Sequence, residues 1–141
     1  MSDVINDMRA GIILVAQLDS ALMGLVQGRI FPAQLAEFTV DTPPQDLAYP
    51  RVHFRVIGGP ARTWSGKYYP ISMQVWAWSQ EDYDEAWTVS TAFKEAIEHD
   101  RISVGSAKFV IKIQNIGQEI FDPDATLYYV SSQYRIHLIE G

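Results

Sequence analysis

Ile71-Ser72-Met73-Gln74-Val75-Trp76-Ala77-Trp78-Ser79 decides how the rest of the chain is read. Side chains of a strand alternate between two faces, so Ile71, Met73, Val75 and Ala77 line one face while Trp76 and Trp78 lie on the other. Both faces of this strand, expected from about Lys67 to Ser79, therefore carry apolar bulk. Upstream, Val52, Phe54 and Val56 alternate with Arg51, His53 and Arg55, a half-buried strand that Gly58-Gly59-Pro60 stops. The turn-rich connection through Ser65-Gly66 predicts that these two strands pair as a hairpin.

Downstream, the period changes from two to between three and four. Tyr83, Ala86, Trp87, Ser90, Phe93 and Ile97 form the stripe of an amphipathic helix reaching about His99, with the Ser79 hydroxyl as its expected cap and acids in its first turn. Phe109, Ile111 and Ile113 alternate with Val110, Lys112 and Gln114 to give another strand. After the turn at Phe121-Asp122-Pro123-Asp124, a last strand spans about Leu127 to Ile139. Before the hairpin, Ile5, Met8, Ile12 and Val15 mark a helix from Asp3 to about Asp19, followed by a short turn through Ser20–Val26 and a short strand at Arg29–Pro32. From about Ala33 to Pro50, Pro43 and Pro44 break any ladder, which predicts a long loop; loops of that length in a small domain tend to be functional or ordered by a partner. The order predicts one α+β domain over 1–141, a largely antiparallel or mixed sheet with two main helices packed on one face.

Composition narrows the function classes. The 141 residues are 48% hydrophobic and 20% charged with no cysteine, which leaves out disordered, disulfide-stapled, thiolate and Cys-zinc proteins. The formal charge of −6 argues against a dedicated nucleic-acid-binding surface. The first 70 residues balance, and residues 71–141 carry the whole excess, much of it between Glu81 and Asp100. The longest apolar run, Ile12–Ala16, falls far short of the roughly 20 residues that cross a bilayer, and Met1-Ser2-Asp3-Val4 does not read as a secretory leader. No catalytic, cofactor-binding or metal-binding residue is assigned. His53, His99 and His137 lack metal-ligand spacing; Gly58, Gly59 and Gly66 fit no phosphate loop; Ser65, Ser103 and Ser106 sit in no nucleophile elbow.

An antiparallel sheet with helices on one side leaves the Trp76/Trp78 face needing a cover. Bare, the two rings would expose roughly 300 to 500 Å², as much as the largest apolar patch of an ordinary monomer. A second subunit is one remedy, and the 33–50 loop folding back is the other. Candidate subunit contacts are accordingly Ile12, Leu14, Pro43, Pro44, Trp76 and Trp78.

Several segments carry a resemblance when taken in order: Leu18-Asp19-Ser20-Ala21-Leu22, Leu25-Val26-Gln27-Gly28-Arg29-Ile30-Phe31, the proline-bearing loop, Tyr49-Pro50-Arg51-Val52-His53-Phe54, Val75-Trp76-Ala77-Trp78-Ser79 and the helix opening Tyr83-Asp84-Glu85-Ala86. Together they resemble the tail-completion, or tail-terminator, proteins of long-tailed bacteriophages and related tail-like particles. The resemblance implies a structural protein without a cofactor, a ring commonly of six copies on the head-proximal end of the tail tube. Its partners would be the tube protein, a head connector or head-closure protein, and DNA that passes without specific binding. It implies assembly in the host cytoplasm and residence in the virion. An acidic wall would let the genome slide, and Glu81, Asp82, Asp84 and Glu85 are candidates for that lining. Two other readings fit the same residues: another head–tail neck component, or a small cone-shaped α+β ligand-binding domain or enzyme using His53 or Asp84 as its base.

Overall fold

The computed structural model describes residues 2–32, 50–57, 71–98, 101–105, 107–123 and 126–140. Their elements run α1 (Ser2–Gln17), α2 (Ser20–Val26), β1 (Ile30–Pro32), β2 (Arg51–Ile57), β3 (Ile71–Ser79), α3 (Tyr83–Ile97), β4 (Ile102–Val104), β5 (Ala107–Asp122) and β6 (Leu127–Glu140). The strands form one mixed sheet in the order β1-β2-β3-β6-β5-β4, antiparallel except for β1 beside β2. The class is α+β, as the sequence predicts, with α2 as a third helix beside the expected two. The expected loop, apart from Pro50, lies outside the described residues, and with it Pro43 and Pro44; so do residues 67–70 of the expected second strand.

Register explains why one face of the sheet is dry. Val52 opposes Ala77, which opposes Val130; Val56 opposes Met73, which opposes Tyr134, which opposes Ile113; Ile71 opposes Ile136, which opposes Ile111. Directly opposed residues point to the same side, so each row is apolar from strand to strand. Met8, Ile12 and Ala16 of α1, Leu22 and Val26 of α2 and Phe93 and Ile97 of α3 are buried against it. Phe93 and Phe54 rings lie 6.4 Å apart. Ser90 and Ser132 hydroxyls meet at 3.3 Å inside this layer, giving each buried oxygen a partner.

Local chemistry sets the helix ends. Asp19 caps α2, its carboxylate accepting from the Leu22 N–H at 2.8 Å, and Gln27 ends the helix in the left-handed region at φ 52°. The cap of α3 is Asp82, not Ser79: Asp82 Oδ1 accepts from the Glu85 N–H at 2.8 Å. Ser79 Oγ serves the preceding turn, accepting from the N–H groups of Glu81 and Asp82 and donating to Glu85 Oε1 at 2.7 Å. Both readings place a polar oxygen before α3, but the carboxylate lies where the first orphan N–H groups converge.

Two features of the second half went unpredicted. β4 is only three residues long, and α1 packs against it closely: a Cβ added to Gly11 would lie 2.9 Å from Val104 Cγ2. β5 runs far beyond the alternation at residues 109–114, interrupted by irregularities between Ile113 and Asn115 and between Asn115 and Gln118. Each irregularity shifts the phase by one residue and the second cancels the first: Asn115 turns outward between them, and Glu119 and Phe121, opposite Val130 and Tyr128, are on the inner side again. At Gly117 any side chain would fall onto Val130.

Candidate functional site

The face of the sheet away from the helices has its own rows. At one end Ile120, Tyr129, Trp78 and Arg51 follow one another across β5, β6, β3 and β2; next come Gln118, Ser131, Trp76 and His53, then Asn115, Gln133, Gln74 and Arg55, then Lys112, Arg135 and Ser72. The face changes character along the strands, from aromatic to amide to cationic. In the amide zone Gln74 Nε2 donates to Ser131 Oγ and Asn115 Nδ2 to Gln133 Oε1, both at 3.2 Å.

The aromatic end is a second core. Trp78 is only 5% exposed and stacks against Tyr129 at 4.3 Å, with Leu127 buried beside it. This corrects the expectation for Trp78 as a subunit contact: the chain itself keeps that indole dry. Trp76 is half-buried and retains some outward surface. Phe31, brought in by the parallel β1, lies 5.3 Å from the His53 ring and under the Arg51 guanidinium at 4.4 Å. Burial, and secondly the Arg51 charge, hold the His53 pKa down to about 3, so the imidazole is neutral near pH 7.

Ile12 needs the same correction as Trp78. It is buried between α1 and the core, so it has no surface to offer a neighbour. Leu14 does, at 52% exposed, and Leu18 one turn on, at 78%, is the most exposed large apolar side chain among the described residues. The sequence does not single out Leu18 for contact, because only the bend between α1 and α2, 92°, turns it away from the core. An open groove lies between α2 and α3, lined by Ala21, Leu25, Trp87 and Ala92 among others.

The four acids divide by task. Asp82 caps α3 and Glu85 is half-buried against Ser79, while Glu81 and Asp84 are exposed to solvent. Asp82 is exposed as well as capping. Among the described residues no group of three His, Asp or Glu is placed to hold a metal ion, and no single helix is long and apolar enough to cross a membrane. His53 is buried rather than set in an open cleft, and Asp84 stands at a helix start in solvent.

Sequence reading overlooked the cationic end. Arg55, Lys112 and Arg135 lie 57, 23 and 80 residues from one another along the chain, yet register puts them in two adjoining rows. Lys112 and Arg135 are exposed and directly opposed. The alternation around Arg55 and Lys112 shows which side each takes, but only strand order brings them together.

This combination of a sheet with one sealed face and one graded face can be compared with known proteins. The model of the tail completion protein gp17 family matches residues 14–138. The chain belongs to that family. As a tail-completion protein it has a structural role in the tail of a phage-type particle. The tail-completion fold is also similar to a chain in the structure "Virion of native gene transfer agent (GTA) particle", with a TM-score of 0.73, 98% of each chain covered and 14% identity. At that identity the likeness is one of fold. No curated sequence matches the tail-completion chain.

Proposed function

We propose that the chain forms a ring of identical copies on the head-proximal end of a tail tube, six being the number that the resemblance implies. The ring halts tube growth, presents a surface to the head connector or head-closure protein, and leaves a channel for DNA. The observation that carries this reading is the family match from residue 14 to 138. Two physical features support it. Leu14 and Leu18 leave apolar surface at the end of α1 that a neighbour would bury. A formal charge of −6 per copy makes a ring an environment that repels phosphate, so DNA slides without adhering.

Electron microscopy of particles made without the protein tests the step. Tails of unregulated length, or finished tails that fail to join heads, are expected; normal tails attached to heads would reject the reading. Sedimentation of the purified chain, alone and with tube protein, tests the ring itself. A strict monomer under both conditions would remove it.

A further inference from the structure

We infer that the cationic end of the open sheet face is the seat for the acidic start of α3 of a neighbouring copy. This rests on the ring-forming reading and names its contact.

Three cations lie in two adjoining rows of this face, and among the described residues none of them has a salt bridge. Lys112 and Arg135 are exposed and directly opposed across β5 and β6, an arrangement that repels. Arg55 lies in the adjoining row, and exposed His137 on β6 lies beyond Arg135. The salt bridge found among the described residues joins Lys94 to Glu98 at 3.0 Å and involves none of them. Glu98 is a nearby acid, close enough to Lys112 to feel its charge. Its carboxylate is already held by the Lys94 ammonium and by the Ile113 N–H at 2.8 Å. The rest of these rows, Ile57, Ser72, Gln74, Gln133 and Asn115, is uncharged.

The matching anions are Glu81, Asp82 and Asp84, exposed within four residues. They follow the end of β3 at Ser79, whereas the cationic row crosses β3 at Ser72. Seven residues of strand separate the two by about 23 Å. They are also on opposite sides of the sheet, since α3 packs on the other face. One chain therefore cannot join them. Two chains joined by this contact place one copy's helix side on the other's open side, and the same pair cannot make the reciprocal contact at once. The contact is heterologous, the kind that closes into a ring when its rotation closes. DNA phosphate is the rival anion, but it would have to approach a chain of net charge −6.

The test uses two charge-reversed full-length chains, Lys112→Glu with Arg135→Glu, and Glu81→Lys with Asp84→Lys. The Asp82 cap stays intact in both, and circular dichroism confirms the fold. In sedimentation at low salt each reversed chain alone should assemble only at concentrations tenfold or more above the wild type. A one-to-one mixture should assemble again, because each contact then unites opposite charges, and so should the chain carrying all four changes. Failure of the mixture to recover overturns the proposal. So does unimpaired assembly of either reversed chain, which leaves the ring standing with a different contact; if DNA delivery also falls with Glu81→Lys and Asp84→Lys, these carboxylates belong to the channel wall. Retention of duplex DNA in a gel shift, lost on Lys112→Glu with Arg135→Glu while assembly is unchanged, assigns the seat to DNA and overturns it too. A wild type that stays monomeric alone and with tube protein removes the ring reading and this contact together.

Discussion

The two faces of one sheet are written by alternate residues of the same strands, yet they meet different demands. On the helix side the complete rows from β2 to β6 are apolar apart from the paired Ser132 hydroxyl and the Tyr134 hydroxyl, and three helices close them. On the open side the rows run from a sealed aromatic corner through hydrogen-bonded amides to exposed cations. The difference teaches that a surface cannot be assigned to folding or to assembly by face alone. Trp78 belongs to the fold although it lies on the open side, while Lys112 and Arg135 at the other end of that side stand exposed.

Large truncations should break the contrast first. Phe93→Ala on the helix side and Trp78→Ala on the open side should each lose about 3 to 5 kcal/mol in denaturant unfolding, because both empty a packed site. A loss below about 1 kcal/mol for Trp78→Ala would return that indole to the subunit interface. Acid separates the faces next. His53 stays neutral in the fold down to about pH 3 but takes a proton near 6.5 when unfolded, so the unfolded state binds more protons between those values. Stability is therefore full above pH 6.5 and falls as pH drops; from pH 8 to pH 5 the loss is roughly 2 kcal/mol. Chemical denaturation across that range should show it, and His53→Gln should flatten that slope.

Smaller effects sharpen the comparison. The Tyr134 hydroxyl is buried in the helix-side core without a hydrogen-bond partner among the described residues, and burial, then the Glu98 charge, push its pKa up. Tyr134→Phe should raise stability by about 1 kcal/mol, read as a higher unfolding midpoint, since it deletes an unsatisfied group while keeping the ring. Smallest is Lys112→Glu, which replaces a repulsive cross-strand pair by an attractive one with Arg135 but sets a second carboxylate near Glu98, so monomer stability should rise by at most about a few tenths of a kcal/mol. A rise in monomer stability with weaker assembly would separate the two demands within one side chain.

Much of this was legible in the sequence. The alternation of residues 71–79 and 51–57 gives both faces and their pairing, and the stripe from Tyr83 to Ile97 gives α3 with its inner side. What escaped has physical causes. β4 is too short to show a period, and the irregularities of β5 between Ile113 and Gln118 interrupt the alternation on which its length would be read. Ile12 and Leu14 sit in one apolar run, and nothing in that run states which of them the tertiary packing takes inward. The cationic seat is invisible locally, because its members come from three elements whose order in the sheet is not written in any one of them.

One small device near that seat bears on how such a chain survives before it is used. The Glu98 carboxylate takes the Ile113 N–H on the outer border of β5, just past the stretch that β4 covers. An open border of a sheet is a template for stray strands, and a carboxylate laid over one of its donors spoils the template. Unassembled copies are thus discouraged from zipping together into fibres through this border.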